Sequence, residues 1–411
     1  MKLLFVFGTR PEAIKMAPVI RAAKNTPGLD VRSCVTGQHR EMLDQVLRFF
    51  CICPDHDLAA MQQNQDLSSL TTRVLDGLRP VLLAERPDMV LVQGDTVSAL
   101  AGALGAFFER IRVGHIEAGL RTHDLQSPFP EEAIRQMVSR LASLHFAPTE
   151  MNVEALLKEG VPRRAVFLTG NPVVDSVLWT RDRIRSSRMD PLSEVIDRDA
   201  LREIERASHV ILVTGHRREN FGIGLREICG AVAAIALERP DAAIVFPVHP
   251  NPTVREQVYN SLQNAKNVFL LPPLEYPAFV HLMDKSTLIL SDSGGVQEEA
   301  PALGKPVLVT RATTERMEAV DTGAVRIVGT SRRNIVRAVN EVLDAAEQGR
   351  ILMPPTTPFG DGHAAEKIVD IIRQQAELAH RPSLPLPAAG NWPGRLEFEV
   401  EQDTGRLSPI A

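Results

Sequence analysis

Three carboxylic acids in the first half of the chain lie at or near the ends of predicted structural elements. Asp95 and Glu117 follow two buried-type strands, and Glu131 begins a helix. Several acids that face one cleft suit general acid and base catalysis, or stabilisation of a cation developing on a sugar. Two of them also have an ordinary explanation, because Asp95 could cap a helix and Glu131 could pair with Arg135 on a helix surface. Their loops carry no recognised ligand pattern, so no metal is expected.

A second set of candidates surrounds the glycine pair in Ser291-Asp292-Ser293-Gly294-Gly295-Val296-Gln297-Glu298-Glu299-Ala300. The pair separates a predicted strand from a helix-like run, and bare backbone at such a turn can approach an anion. Ser293 could cap the helix or donate a hydrogen bond to a phosphate. Glu298 and Glu299 could offset the helix dipole or accept hydrogen bonds from ribose hydroxyls. The motif therefore predicts either a diphosphate site or an ordinary glycine-containing turn.

Cations that could meet a diphosphate follow other predicted strands. Arg10 and Lys15 stand at the first strand-to-helix turn, where the fork of an arginine matches phosphate oxygens. His216 and Arg217 follow a later strand and place a proton carrier beside a fixed cation. His249 lies in a Pro-flanked loop. For each of these residues, an ordinary structural or surface role is the alternative.

The composition predicts a cytoplasmic globular protein with enough chain for two or three domains. The 411 residues are 44% hydrophobic and 24% charged, with a net charge of -5. This mild acidity argues against a nucleic-acid partner, and no uncharged apolar run reaches the roughly 18 residues that a membrane span needs. The four cysteines have no metal or redox spacing, and no signal peptide is recognisable. Neither a P-loop nor a dinucleotide-binding glycine pattern occurs, so no nucleotide cofactor is expected.

Short buried-type strands alternate with helices along most of the chain. The alternation begins with the strand 3–7 and restarts with the strand 209–214, after the polar stretch 181–208. In the first half, residues 131–144 are predicted to form one helix. This pattern predicts an α/β protein with two Rossmann-like, doubly wound parallel sheets and ligand-facing loops at the carboxyl ends of their strands.

Six motifs, in order and at compatible spacing, resemble those of the bacterial non-hydrolysing UDP-N-acetylglucosamine 2-epimerases. They are F-G-T-R-P-E-A-I-K at 7–15, Q-G-D-T at 93–96, G-H-I-E-A-G-L-R at 114–121, P-E-E at 130–132, T-G-H-R-R-E-N at 214–220 and D-S-G-G-V-Q-E-E at 292–299. The resemblance implies a GT-B fold and a cytoplasmic homodimer without metal or redox cofactor. It also implies conversion of UDP-N-acetylglucosamine to UDP-N-acetylmannosamine for surface polysaccharides, by elimination of UDP to 2-acetamidoglucal and re-addition.

The same resemblance implies roles for individual residues. The residues that it assigns to catalysis are Asp95, Glu117, Glu131 and His216. The residues that it assigns to the substrate, with Phe279 near the uracil and Glu299 at the ribose, are Arg10, Lys15, Arg135, Arg217, Phe279, Ser293, Gly294, Gly295, Glu299 and Arg316. A second, activating site that some members possess would include Gln38 and His249.

The resemblance and the element pattern together divide the chain into four parts. The N-terminal domain, 1–180, would carry the catalytic acids and the dimer interface, and the C-terminal domain, 205–361, would bind UDP. A final helix, 362–380, would pack back on the N-terminal domain, and the Pro-rich tail, 381–411, would be loosely ordered. The residues leave three alternatives: a GT-B glycosyltransferase, a 2-epimerase of a UDP-2,3-diacetamido uronic acid, and a non-catalytic UDP-sugar-binding protein.

Overall fold

The computed structural model of the protein contains two parallel β-sheets with helices packed against them. It describes residues 1–37, 40–61, 66–187, 190–215, 222–351, 353 and 356–380. The strands of the first sheet are β1 Lys2–Phe7, β2 Asp30–Val35, β3 His56–Asp57, β4 Met89–Gln93, β5 Arg112–Ile116, β6 Leu144–Ala147 and β7 Val166–Leu168. The strands of the second sheet are β8 His209–Thr214, β9 Ala242–Pro247, β10 Val268–Leu271, β11 Leu288–Ser291, β12 Val307–Val309 and β13 Val325–Ile327.

Helices connect these strands in both halves of the chain. Those up to the end of the first sheet are α1 Arg10–Lys24, α2 Arg40–Phe49, α3 Leu67–Glu85, α4 Val97–Phe108, α5 Glu131–Leu141, α6 Glu150–Lys158 and α7 Pro172–Ser187, with a short 3-10 turn at Arg163–Ala165. Those that follow are α8 Arg198–Arg206, α9 Ile223–Glu238, α10 Pro252–Leu262, α11 Tyr276–Lys285, α12 Gly294–Ala302, α13 Met317–Asp321, α14 Arg332–Glu347 and α15 Ala364–His380.

The strand order of both sheets reverses direction once, as in doubly wound folds. The first sheet runs β3-β2-β1-β4-β5-β6-β7 and the second β10-β9-β8-β11-β12-β13. In the first sheet β1 pairs in parallel with β2 and β4, and in the second β8 pairs in parallel with β9 and β11. Ligands bind such sheets beyond the carboxyl ends of the strands, near the reversal point. The predicted pair of doubly wound sheets is therefore confirmed.

Continuous runs of apolar residues explain why the central strands could be predicted from the sequence. Leu3, Leu4, Phe5, Val6 and Phe7 of β1 are all fully buried. A strand in the middle of a parallel sheet is covered by helices on both faces, so every position favours an apolar side chain. Burial of each large side chain contributes about 1.5–3 kcal/mol, so these strands contribute strongly to the stability of the fold.

One predicted helix was too long. Residues 131–144 were expected to form a single helix, but α5 ends at Leu141 and Leu144 begins β6. The Ser143 amide donates to the carbonyl of Val113 at 2.8 Å, which brings the chain into the sheet beside β5. A strand of four residues is too short to show the alternation of apolar and polar side chains that marks a strand. Because it directly follows a helix, its residues were assigned to that helix.

Both sheets lie within one compact unit, Met1–Ile371, and the described residues beyond it are the remainder of α15. The start of α15 is fixed by Asp175 of α7, whose carboxylate accepts the amides of Ala364 at 3.2 Å and Ala365 at 2.8 Å. An acid at a helix N-terminus satisfies amides that have no partner within the helix. In the described part of the chain, no helix has both the length and the hydropathy required to cross a membrane.

Candidate active site

A cleft of about 620 Å³ is lined by loops that follow the strands of both sheets. This volume lies in the range typical of small-ligand sites. All the predicted site residues that the structure describes line it, namely Arg10, Lys15, Asp95, Glu117, Glu131, Arg135, His249, Phe279, Ser293, Gly294, Gly295, Glu299 and Arg316. The other predicted site residues, Gln38, His216 and Arg217, lie outside the described residues. The sequence therefore identified residues that converge, although many of them are far apart in the chain.

The glycine turn forms one wall of the cleft at the start of α12. Ser293 occupies the N-cap position, but its side chain makes no capping hydrogen bond within the described helix. Its hydroxyl is thus not committed to the helix, and the first amides of α12 are available to an anion. A Cβ atom at Gly294 would lie 3.1 Å from Cζ of Arg316. The absence of a side chain at Gly294 therefore allows this guanidinium to stand against the turn.

Glu117 is held by donors on both of its carboxylate oxygens. Lys15 Nζ lies 2.5 Å from Oε1, Asn171 Nδ2 donates to the same oxygen at 3.1 Å, and Gln93 Nε2 donates to Oε2. The backbone of Glu117 is left-handed, with φ of 62°, a strained conformation that clusters at functional sites. Burial raises the pKa of Glu117, the charge of Lys15 opposes the rise, and the neighbouring Glu298 carboxylate adds to it.

Lys15 is paired with acids from both domains. Besides Glu117, its Nζ contacts Oε2 of Glu298 at 3.1 Å, and Oε1 of Glu298 accepts from Arg316 Nε at 2.9 Å. Burial alone would lower the pKa of Lys15, but these two carboxylates outweigh burial and raise it. Arg316 also contacts Glu315, 3.3 Å from Nη1. The sequence suggested the helix dipole or the ribose for Glu298, whereas the structure places it in a buried ion-pair cluster.

The other two candidate acids are distinguished by their partners. Asp95 Oδ2 lies 2.5 Å from Arg135 Nη2, and Thr96, not Asp95, caps α4. Glu131 does not pair with Arg135, which instead contacts Glu132 at 3.3 Å. Oε2 of Glu131 is buried without a hydrogen-bond partner among the residues that the structure describes. Unpaired buried carboxylate oxygens are rare and costly, so this oxygen is a candidate contact for a bound substrate.

The opposite end of the cleft carries a buried acid of a different kind. Glu299 Oε1 accepts a hydrogen bond from the Tyr276 hydroxyl at 2.9 Å, and burial raises the pKa of Glu299 to about 7. Arg10 Nη1 donates to the carbonyl of Leu274 at 3.4 Å, which fixes its guanidinium beside this acid. Phe279 of α11 is half-buried and presents its ring to the cleft. A cation, an acid and an aromatic ring here could together bind a nucleoside.

The raised pKa of Glu299 predicts that Glu299→Gln stabilises the ligand-free protein. The ordinary pKa is 4.5, so the folded state binds this proton more tightly than the unfolded chain does. Ionisation of Glu299 therefore costs stability as the pH rises from about 4.5 to 7, and the cost persists above that range. At about pH 8 the free energy of unfolding of Glu299→Gln should exceed that of wild type by roughly 1–3 kcal/mol, which thermal unfolding should show as a higher Tm, and the two should not differ near pH 4.5.

Glu315→Gln is the matched control for this measurement. Burial favours the neutral form of Glu315, but the charges of Arg316 and Arg311 lower its pKa to about 2. Its carboxylate therefore contributes stability that is present above pH 4.5 and is lost as the pH falls towards 2, so Glu315→Gln should lower the Tm at neutral pH. A Tm of Glu299→Gln equal to or below that of wild type at about pH 8 would contradict the prediction.

Three residues of the site were not predicted as such. Asn171 and Gln93 both contact Glu117, and Tyr276 contacts Glu299. For Asn171, which follows β7, and Gln93, which ends β4, the available signal was a polar side chain at the carboxyl end of a predicted strand. Tyr276 begins α11, and no feature of its local sequence distinguishes it from a core residue.

The two doubly wound sheets, with a glycine turn and carboxylates facing one cleft, define an α/β enzyme of the GT-B class. Residues 21–373 match the family described as UDP-N-acetylglucosamine 2-epimerase. The UDP-N-acetylglucosamine 2-epimerase of Escherichia coli (strain K12) is 52% identical over 374 residues, covering 91% of this chain and 98% of that protein. The chain belongs to the UDP-N-acetylglucosamine 2-epimerase family.

Solved structures agree with this assignment. A crystal structure of UDP-GlcNAc 2-epimerase from Neisseria meningitidis bound to UDP-GlcNAc is 45% identical, with a TM-score of 0.83, covering 91% of this chain and 100% of that one. A structure of S. aureus MnaA with UDP is 41% identical, with a TM-score of 0.81, covering 93% of this chain and 99% of that one. The predicted family and the GT-B fold are thereby confirmed.

Proposed function

We propose that this protein interconverts UDP-N-acetylglucosamine and UDP-N-acetylmannosamine by inverting carbon 2 of the sugar, without a metal or redox cofactor. The observation that carries the proposal is the division of the cleft. Arg316 and the glycine turn of α12 provide an anion site on one side, and Glu117, Glu131 and Asp95 provide acids on the other. The E. coli and N. meningitidis relatives are named UDP-N-acetylglucosamine 2-epimerase, and the N. meningitidis structure contains bound UDP-GlcNAc. Such a reaction would supply precursors of surface polysaccharides.

In this proposal the two domains have different tasks. The C-terminal domain, 205–361, supplies most of the residues that hold UDP, and the N-terminal domain, 1–180, supplies the three carboxylates for the proton chemistry. The residues that we assign to UDP are Arg10, Lys15, His216, Arg217, Phe279, Ser293, Gly294, Gly295, Glu299 and Arg316. Glu299 would accept hydrogen bonds from the ribose, Phe279 would stack near the uracil, and α15 would pack back on the N-terminal domain.

The chemistry explains why both kinds of group are needed. The hydrogen on carbon 2 is not adjacent to a carbonyl, so its direct removal as a proton would be very slow. In the elimination step, the bond between carbon 1 and the UDP oxygen breaks and its electron pair leaves with UDP. A base takes the proton from carbon 2, and the carbon 1–carbon 2 double bond of 2-acetamidoglucal forms. UDP then adds back to carbon 1, while a proton reaches carbon 2 from the opposite face.

The described contacts suit this sequence of steps. Cations and a helix N-terminus stabilise UDP as it leaves, and positioned carboxylates accept and return the proton. Glu117, Glu131 and Asp95 are the candidate proton carriers, with His216 added by the family resemblance. Arg135 keeps Asp95 in a fixed position, 2.5 Å from its own Nη2. Glu117 is raised in pKa by burial, so it can exchange a proton closer to neutral pH than an exposed acid does.

The proposal is tested by incubating the protein with UDP-N-acetylglucosamine alone in heavy water. Because the carbon 2–hydrogen bond breaks, UDP-N-acetylmannosamine should form and deuterium should appear at carbon 2 of both epimers, as measured by mass spectrometry and NMR. A glycosyltransferase without an acceptor would neither form the epimer nor introduce deuterium at carbon 2. Turnover confined to a UDP-2,3-diacetamido uronic acid would assign a different substrate. The absence of both deuterium exchange and conversion at high enzyme concentration would refute the proposal.

This experiment needs one control for the expression host. Escherichia coli contains a relative that is 52% identical to this chain, so trace host enzyme could mimic activity. Asp95→Asn, purified from the same host by the same steps, provides the background. Activity of wild type that does not exceed this background would not support the proposed function.

We infer further that the protein is a cytoplasmic homodimer, as the family resemblance implies. Phe107 and Phe108, at the end of α4, are 54% and 65% exposed and give the N-terminal domain an apolar surface for a second copy. His249, which is exposed at the cleft, would belong with Gln38 to a second, activating substrate site.

A further inference from the structure

Glu298 is a buried acid of α12 that contacts cations from two parts of the chain. Its side chain is 3% exposed, and a buried carboxylate is tolerated only when it is paired and hydrogen-bonded. Oε1 accepts from Arg316 Nε at 2.9 Å, and Oε2 lies 3.1 Å from Lys15 Nζ. Asn171 Nδ2 also donates to Oε2, at 3.3 Å. Both oxygens therefore accept from donors within the protein, and Glu298 does not line the cleft in which a ribose would bind.

The two partners of Glu298 each reach another part of the cleft. Lys15 Nζ contacts Glu117 Oε1 at 2.5 Å, and Asn171 Nδ2 donates to the same oxygen at 3.1 Å. Arg316 stands against the glycine turn, with Cζ 3.1 Å from the position of a Cβ at Gly294. Glu298 thus lies between the cation beside the candidate proton carrier and the cation beside the candidate diphosphate site.

The charges in this cluster balance. Glu117 and Glu298 face Lys15 and Arg316, so the formal charge of the four groups is zero. Removing the carboxylate of Glu298 would leave one positive charge in excess next to Glu117. It would also free Lys15 and Arg316 from the shared acceptor that fixes their positions. A change at Glu298 should therefore affect two sites that it does not itself line.

We propose that Glu298 is a positioning residue of the active site, which holds Lys15 against Glu117 and Arg316 against the glycine turn. This inference rests on the proposed function for its kinetic consequences. Glu298 does not touch the substrate, and it acts through the two cations. Its value to the reaction is geometric, since small displacements of positioned groups lower turnover strongly.

The same position makes Glu298 an electrostatic neighbour of Glu117. The charged groups around Glu117 are Lys15 of α1, Glu298 of α12 and Arg316 before α13, and the Glu298 carboxylate raises the pKa of Glu117. Loss of that charge should lower the pKa of Glu117. The limb of the kcat/KM pH profile that reports Glu117 should then move to lower pH, whether Glu117 acts as acid or base.

Two substitutions separate the geometric effect from the electrostatic one. Glu298→Gln keeps the shape and removes the charge, so we expect kcat to fall about 10- to 100-fold and the pH limb to move down by about one unit. Glu298→Asp keeps the charge but shortens the reach, so kcat should fall about tenfold while the limb stays in place. KM should rise at least about threefold in Glu298→Gln, because Lys15 and Arg316, both assigned to UDP, lose the acceptor that fixes them.

Glu315→Gln is the matched control, because Glu315 contacts Arg316 at 3.3 Å but has no contact with Lys15 among the described residues. It should raise KM without moving the pH limb. Wild-type kcat in Glu298→Gln with an unmoved limb would overturn the proposal, as would a loss confined to the Tm. If Glu298→Gln does not fold, Glu298→Asp tests the positioning role in its place, and a wild-type kcat in Glu298→Asp overturns the proposal.

Calorimetric titration with UDP keeps the two proposals distinguishable. If wild type does not epimerise its substrate, the proposed function fails, and Glu298 is then judged on binding alone. In that case Glu298→Gln should change the affinity for UDP at least about threefold, and should change the protons taken up on binding in buffers of different ionisation enthalpy. Unchanged affinity and unchanged proton uptake would overturn the positioning role independently of turnover.

Discussion

Glu117→Gln is expected to lower kcat for UDP-N-acetylglucosamine by about 1,000-fold. The amide has nearly the shape of the carboxylate but cannot accept and return a proton. Lys15 Nζ, 2.5 Å away, and Asn171 Nδ2, 3.1 Å away, can still donate to the amide oxygen. Gln93, which donates to the other carboxylate oxygen, can turn its amide to accept from the new NH2 group, so the surroundings should keep their arrangement. Glu117 is not among the residues that we assign to UDP, and KM should therefore stay within about threefold of wild type. Steady-state kinetics and carbon 2 deuterium exchange measure both effects.

A matched substitution shows whether loss of any paired acid has the same consequence. Glu85 is a half-buried acid that pairs with His56 at 2.8 Å and Lys2 at 3.1 Å, where β1 begins and α3 ends. That position is at the end of the sheet opposite to the cleft, so Glu85→Gln should cost stability and leave kcat unchanged. Retention of more than about a tenth of wild-type kcat in Glu117→Gln would exclude Glu117 as a proton carrier.

The fold was predictable where burial is complete on both faces. The strands β1, β4, β8 and β11 have buried apolar side chains with a polar residue at one end or at both, and each was recognisable from the sequence. The strands β3 and β13 lie at the edges of their sheets, are two and three residues long, and carry partly exposed side chains. Such strands lack the continuous apolar run that marks a buried strand, so no local signal identified them.

The site was predictable as a set of positions but not as a set of contacts. Parallel strands bring their carboxyl ends to one edge, so polar residues after the strands were expected to meet in one cleft. The partners within it depend on packing between distant segments, since Lys15 and Glu117 are separated by 102 residues. The sequence offered a phosphate or a surface role for Lys15, and the helix dipole or the ribose for Glu298. Neither interpretation included the ion-pair cluster that joins them.

Lys15→Met is expected to be the most destabilising single substitution in this cluster. It removes the cation that lies between Glu117 and Glu298, at 2.5 Å and 3.1 Å. Breaking a buried pair leaves an uncompensated buried charge, which typically costs about 3–5 kcal/mol. Without Lys15 the pKa of Glu117 should rise further above its unfolded value, and stability is then lost as the pH rises through that range. Thermal unfolding should therefore show a larger Tm deficit at about pH 8 than at about pH 5.5.

The double variant Lys15→Met with Glu117→Gln tests the cause of this loss. If the loss comes from an unpaired carboxylate, removing that carboxylate should restore about 1–3 kcal/mol, and the double variant should be more stable than Lys15→Met alone. Loss of side-chain packing at Lys15 alone predicts instead that the two effects add. Additive effects, or a Tm deficit independent of pH, would contradict the electrostatic origin. Recovery in the double variant would mean that Lys15 is needed in the ligand-free fold because Glu117 and Glu298 are buried together, before any substrate binds.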